Sequence, residues 1–201
     1  MKSSVLLLLF VVALLVGCKK GENDPVFSLK TRKARLTGNW IAESAEWVKG
    51  DTTWVFDGTS IVRTDSITVD KHGYSISILF TTMGEYTFET VNSYSAEYID
   101  TTLAGITCET VETGLWNFTG GAGNSKTKSQ LLFLTGKTEE ICSDKPVNVN
   151  TKSITGQYQG IVYNIDRLSG KELVLIYSRE VATALGTVIE TGEIKLNKEN
   201  P

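Results

Sequence analysis

Proline, histidine and cysteine are scarce in this chain of 201 residues, which contains three prolines, one histidine and three cysteines. Pro146 is the sole proline between residues 26 and 200, so almost nothing in that stretch forbids pairing between β-strands. The one histidine, His72, lies in the turn signal Lys71-His72-Gly73, which predicts a solvated loop position. Because zinc sites and acid–base catalysis need positioned partners that this sequence does not offer, we expect no metal, no cofactor and no catalytic residue.

The charged side chains exclude one class of partner. Lys and Arg number 20 and Asp and Glu 23, a net charge of −3, with both signs interspersed along the chain. Proteins that bind nucleic acid carry strongly basic faces, so nucleic acid is not an expected partner. The one local exception is the basic segment from Lys30 to Arg35, which is either a solvated face or a contact with anionic lipid headgroups.

The first 17 residues have the form of an export signal. Lys2 precedes the unbroken apolar run Val5–Val16, and the small residue Gly17 follows it. A helix of that run would span about 18 Å, against a hydrocarbon core of about 30 Å, so it is too short for a comfortable membrane span. We predict a cleaved signal peptide at 1–17, a polar tether at 18–29 and a single domain at 30–201.

The segment Leu15-Val16-Gly17-Cys18 resembles the lipobox of bacterial lipoproteins. The resemblance implies that the Cys18 thiol is acylated, with palmitate as a typical chain, and that the protein is anchored on a membrane of the bacterial cell envelope. The outer membrane is the expected one. The alternative is an ordinary cleaved signal in which Cys18 is incidental. Export would also place Cys108 and Cys142 in a compartment that permits disulfides, so we predict a bridge between them, with two buried free thiols as the alternative.

The rest of the chain has the pattern of an all-β protein. Segment 74–78 alternates polar and apolar residues, as segment 85–89 does, and Gly, Asn, Asp and Ser separate such runs. Residues 28–36 have helical character, whereas 119–129 and 136–152 are predicted as long connections. We predict strands near 38–48, 52–57, 60–69, 74–78, 85–89, 95–101, 105–112, 115–118, 130–135, 158–166, 171–178 and 187–196.

Antiparallel strands without crossover helices must bury their apolar faces against one another. Closing the sheet also removes its unpaired edges, so we predict an antiparallel up-and-down β-barrel. A β-sandwich is the alternative, because alternation alone does not distinguish closure of one sheet from stacking of two.

Gly38-Asn39-Trp40, directly after the short helical segment, resembles the Gly-x-Trp motif of lipocalins and the wider calycin superfamily. Three further segments are similar to lipocalin-like lipoproteins of Gram-negative envelopes: 84–88, 114–118, and 163–168 with 171–175. The resemblance implies that Trp40 packs across the closed end of a barrel. It also implies a late arginine covering Trp40, for which the candidates are Arg167 and Arg179.

The resemblance further implies non-catalytic binding of a small hydrophobic or amphipathic ligand inside the barrel. Aromatic side chains are the candidate lining, although the same residues would serve equally as a filled core. They are Trp47, Trp54, Phe56, Tyr74, Phe88, Tyr98, Trp116, Tyr163 and Tyr177. The alternative function is a structural or interaction module that docks to another envelope protein or glycan through its outer face or through the two long connections.

Overall fold

The computed structural model describes residues 30–120, 129–143, 148–150, 160–183 and 186–199, with side chains for all of these except 148–150. The predicted signal peptide and tether lie outside these ranges. Within them, no helix is long and apolar enough to cross a membrane. The elements are α1 (Arg32–Leu36), β1 (Gly38–Lys49), β2 (Thr52–Phe56), β3 (Ser60–Thr64), β4 (Val69–Phe80), β5 (Glu85–Ser93), β6 (Thr107–Thr119), β7 (Gln130–Cys142), β8 (Asn148–Asn150), β9 (Gly160–Leu168), β10 (Glu172–Thr183) and β11 (Gly186–Lys198).

Ten of these strands form one closed antiparallel barrel. Each pairs with its neighbour in the order β1-β2-β3-β4-β5-β6-β7-β9-β10-β11, and β11 returns to pair with β1. Strands β6 and β7 pair over their whole length, from Thr119 and Gln130 at one end to Cys108 and Cys142 at the other. The short strand β8 adds to the far end of β7. The predicted up-and-down barrel is therefore confirmed, and the alternative of two stacked sheets is wrong.

The two ends of the barrel differ in the number of strands around them. Residues 38–41 of β1 pair directly with residues 77–80 of β4, so eight strands encircle this end, which we call the narrow end. Farther along, β2 and β3 are inserted between β1 and β4, and ten strands encircle what we call the wide end. Because barrel diameter grows with strand number, the interior widens from one end to the other.

Apolar side chains fill the narrow end. Trp40 is fully buried, and its indole N–H donates to the carbonyl of Leu36 in α1 at 2.6 Å. Phe80 packs edge-on against Trp116 and Phe133, with ring centroids 5.7 and 5.6 Å apart. The other fully buried aliphatic side chains include Ile78, Leu131, Leu168, Leu173, Leu175 and Leu196. This end is a packed core, with the helix α1 beside it.

The side chain that covers Trp40 is Lys198. Neither of the two expected arginines does so. The Lys198 Nζ lies 5.2 Å from the Trp40 ring centroid and donates to the carbonyl of Arg35 at 2.8 Å and to that of Thr37. A Cβ on Gly38, where φ is +127°, would stand 2.7 Å from Lys198 Cε. The Gly-x-Trp motif thus needs glycine for both its backbone conformation and the approach of this lysine.

The candidate arginines for covering Trp40 form other ion pairs. Arg167 pairs with Glu172 at 2.9 Å, and Arg179 pairs with Glu190 at 2.8 Å. The expectation that one of them covers Trp40 was wrong because the last residues of β11, and not β9 or β10, lie beside β1 at this level of the barrel.

Three local predictions were wrong. Residues 95–101 form turns and not a strand, since their backbone bonds are local, as from Tyr98 N–H to the Ser95 carbonyl. The predicted turn at 71–73 lies inside β4, where Gly73 lets Ser93 of β5 approach to 3.2 Å of its missing Cβ. The predicted connection 136–152 is shorter, because β7 continues to Cys142 and β8 follows at 148–150. Of the other predicted connection, residues 121–128 lie outside the described ranges.

Cys108 and Cys142 form a disulfide across β6 and β7. They are directly opposed in the sheet, with Cα atoms 4.0 Å apart and the sulfur atoms bonded. The predicted bridge is confirmed, and the alternative of two free thiols is wrong. The disulfide therefore links β6 to β7 covalently at the wide end.

Candidate functional site

One inner wall of the wide end is aromatic. Trp47 of β1 and Trp54 of β2 stack with centroids 6.1 Å apart and planes 14° apart. Tyr74 of β4 continues this surface, 6.3 Å from Trp47 and 5.6 Å from Phe56. The rings of Trp47, Trp54 and Tyr74 are partly exposed, in contrast to the fully buried rings of the narrow end. This wall therefore offers apolar ring faces toward the interior.

A polar cluster continues the aromatic wall toward the rim. The His72 side chain is 11 % exposed, and its Nε2 bonds with the Asn92 side-chain oxygen at 3.0 Å. Its ring packs 4.5 Å from Tyr94, and Tyr98 donates to Asp70 beside it. His72 thus points into the barrel, and the expectation of a solvated loop position was wrong, because 71–73 pair within the sheet.

Across the interior, Glu112 of β6 is held by two neutral hydroxyls. Tyr86 of β5 and Thr135 of β7 both donate to Glu112 Oε1, and their two hydroxyl oxygens lie 3.1 Å apart. Burial, together with the bond to Glu112, holds the pKa of Tyr86 well above its usual value. Among the described residues, no basic side chain forms an ion pair with Glu112.

A second carboxylate, Glu190 of β11, also faces the interior, opposite Lys49 of β1. It is 9 % exposed and accepts from Tyr177 at 2.9 Å and from Arg179 at 2.8 Å, both on Oε1. Gly192, two residues along, leaves room for the Tyr177 ring, whose Cε1 would stand 2.3 Å from a Cβ there. The glycine thus places Tyr177 so that its hydroxyl reaches Glu190.

Tyr163 of β9 lies between these two carboxylates. It is 7 % exposed, and its ring packs against Phe133 at 5.0 Å and Tyr177 at 5.4 Å. Burial above all raises the pKa of the Tyr163 phenol, Glu112 and Glu190 raise it further, and Arg179 lowers it. In the part of the chain that the structure describes, the Tyr163 hydroxyl makes no hydrogen bond.

A concavity of about 820 Å³ opens beside these groups. β9 and β10 pair only as far as Asn164 and Ile176, and beyond that point no backbone bonds join the described residues of these two strands. Glu112 and Thr135 line the concavity from the barrel interior, and Arg179 lines it from β10. Its aliphatic lining comes from Ile161, Val162 and Val181. A volume of this size is in the range of sites for small molecules.

The structure brings together most of the aromatic residues that the sequence proposed as lining. Six of them lie around the wide end: Trp47, Trp54, Phe56, Tyr74, Tyr98 and Tyr177. Tyr163 joins the carboxylates, and Phe88 packs against the core from β5, opposite Ile78. Trp116 lies at the narrow end, against Phe80 and Phe118.

Sequence reasoning missed the two interior carboxylates. The signal that finds Glu112 is its register on β6, since it alternates with Gly114 and Trp116 on the inward face. Glu190 follows the same rule on β11, with Ile194 and Leu196 below it. Acidic residues at inward positions of a barrel strand are informative because an isolated charge is costly to bury.

The described residues offer two kinds of group that could hold an ion or a ligand. The one group with the spacing of metal ligands is Cys108, Glu140 and Cys142, and both of its sulfur atoms belong to the disulfide. Among the described residues, the interior supplies ring faces, two carboxylates held by hydrogen bonds or an ion pair, and the hydroxyl of Tyr163.

Comparison with known protein families, with curated proteins and with solved structures finds no match to this chain.

Proposed function

We propose that this protein binds a small amphipathic molecule in the interior of its wide end, without catalysing a reaction on it. The observation that carries the proposal is the division of the barrel into a filled narrow end and a wide end with partly exposed rings. A structural barrel has no need of that division, because an interior of packed side chains is the more stable arrangement.

Two features of the wide end favour an amphipathic ligand over a purely apolar one. The stacked pair Trp47–Trp54 and the neighbouring Tyr74 offer ring faces for an apolar body. Facing them across the barrel, Glu112 and Tyr163 offer polar atoms for a head group. Binding pockets of this kind are mostly apolar with a few polar groups that fix orientation.

The experiment is the binding of a fluorescent hydrophobic probe to the purified protein and to its Trp47→Ala variant. We expect the variant to bind at least about tenfold more weakly, because removing a ring face from a site costs about 1.5–3 kcal/mol. Ile41→Ala is the matched control, since its side chain lies on the outer surface of the same strand. Equal binding by all three proteins, or no binding by the parent protein, would contradict the proposal.

We also propose that Cys18 is lipidated and holds the protein on the bacterial envelope, with the outer membrane as the expected site. The support is the apolar run 5–16 followed by Gly17-Cys18. Because α1 and the first residues of β1 lie at the narrow end, the chain enters the barrel there. The wide end would then face away from the membrane and toward molecules in the surrounding compartment.

A second candidate function, docking to another envelope protein, has one observation in its favour. Three aliphatic side chains on turns and strand ends of the wide end are strongly exposed: Ile67, Val69 and Ile99, at 90 %, 68 % and 89 %. Tyr98, next to Ile99, donates to Asp70, next to Val69, so the last two lie near each other. A rim of this kind would suit a protein partner that closes the wide end.

A further inference from the structure

The hydroxyl of Tyr163 is a polar group in the wide end for which the described residues provide no hydrogen-bond partner. Tyr163 as a whole is 7 % exposed, and its hydroxyl makes no hydrogen bond within the described residues. The neighbouring tyrosines are satisfied, since Tyr86 donates to Glu112 and Tyr177 donates to Glu190. The Tyr163 hydroxyl oxygen is not among the fully buried atoms without a partner, so it remains accessible to a ligand.

The two carboxylates beside Tyr163 each keep one oxygen atom available. Both bonds to Glu112 end on Oε1, and both bonds to Glu190 end on Oε1 as well. In the described structure, Oε2 of each accepts no hydrogen bond. A carboxylate has about four lone-pair positions, so these atoms can accept from a ligand without breaking the existing bonds.

The charge around Tyr163 is negative. Two carboxylates face one guanidinium, that of Arg179, which is 44 % exposed and pairs with Glu190. Glu112 has only neutral donors. An anionic head group placed here would meet the charge of Glu112 in an environment of low dielectric constant, whereas a cationic one would be attracted.

We propose that the ligand of the wide end carries a cationic nitrogen, a primary ammonium or a guanidinium, which donates to Glu112 Oε2 and to the Tyr163 hydroxyl. Its apolar part lies in the concavity against Ile161 and Val181 and extends toward the aromatic wall. This inference rests on the proposed function and names the chemical class of its ligand.

The test compares three probes with the same chain, octylammonium, octanoate and octan-1-ol, binding to the purified full-length protein by calorimetry. We expect octylammonium to bind at least about tenfold more tightly than the other two, because a hydrogen bond to a charged group is worth a factor of that order. Glu112→Gln should remove this preference while leaving the binding of octan-1-ol within about twofold. Glu46→Gln is the control, since that carboxylate lies exposed on β1.

A second variant tests the same inference in case Glu112→Gln does not fold. Tyr163→Phe removes only the unbonded hydroxyl, so its thermal unfolding temperature should equal or exceed that of the parent, while its affinity for octylammonium falls several-fold. Tyr86→Phe, which loses the hydrogen bond to Glu112 and the contact with Thr135, should lower the unfolding temperature. Equal affinities for octylammonium and octanoate, or unchanged octylammonium binding in Tyr163→Phe, would overturn the cationic class alone. Failure of all three probes to bind would overturn the proposed function and this inference with it.

Discussion

Replacing Trp40 by alanine is expected to lower the free energy of unfolding by about 3–5 kcal/mol. The ring is fully buried at the narrow end, its N–H bonds to Leu36, and Lys198 lies over its face. The variant therefore loses the burial of the ring, leaves a cavity and leaves the carbonyl of Leu36 without the hydrogen bond from Trp40. Since single domains have total stabilities of about 5–15 kcal/mol, this one change removes a large share. Urea unfolding followed by circular dichroism measures it.

The same substitution at Trp54 is the control for Trp40→Ala. Trp54 lies at the wide end with a partly exposed ring, so its loss should cost less than about 2 kcal/mol while weakening ligand binding. Trp40→Phe, which keeps most of the ring, should fall between the parent and Trp40→Ala. Equal destabilisation by Trp40→Ala and Trp54→Ala would contradict the division into a filled end and an open one.

Replacing Cys18 by serine is expected to move nearly all of the protein from the membrane fraction to the soluble fraction. Serine does not accept the acyl chains, and each buried CH₂ of such a chain contributes about 0.8 kcal/mol to membrane attachment. The measurement is fractionation of cells followed by mass spectrometry of the protein in each fraction. The measured mass shows whether residues 1–17 have been removed from the chain. It therefore distinguishes a protein anchored by lipid from one held in the membrane by its uncleaved apolar run.

A salt wash is the control for Cys18→Ser. The basic segment that begins at Lys30 is next to the narrow end, but the side chains of Arg32 and Arg35 are buried there, and Lys33 lies 5.9 Å from the Trp116 ring. Attachment through this segment alone would be lost in high salt because exposed charges are screened. We therefore expect the parent protein to stay on membranes in 1 M salt, which leaves a Debye length of about 3 Å. Processed Cys18→Ser that remains bound after this wash would contradict the proposed anchor.

Local pattern was sufficient to predict the fold class, because it depends on alternation within single strands. Segment 74–78 lies inside β4, and Gly38-Asn39-Trp40 begins β1 with the tryptophan inward, as the motif implies. The disulfide between Cys108 and Cys142 was predicted from two facts alone: the predicted export signal, and the presence of just two cysteines besides Cys18. These features need no knowledge of which strands are neighbours.

Features that depend on long-range register could not be predicted in the same way. Lys198 covers Trp40 only because β11 pairs with β1, and this pairing joins residues at opposite ends of the domain. The wide end exists because β2 and β3 are inserted between β1 and β4 partway along the barrel. Glu112, Tyr163 and Glu190 lie on three different strands and come together only in the folded barrel, so no single segment of the sequence reveals the site.

The measurement that tests the central claim most directly is native mass spectrometry of the mature protein from its own cells, before and after extraction with organic solvent. We expect an additional mass that the solvent removes, distinct from the covalent acyl chains on Cys18, which remain. The additional mass should be absent from Trp47→Ala and retained in Ile41→Ala. A parent protein that carries only its polypeptide and acyl masses, and that takes up no molecule from an envelope lipid extract, would contradict the account.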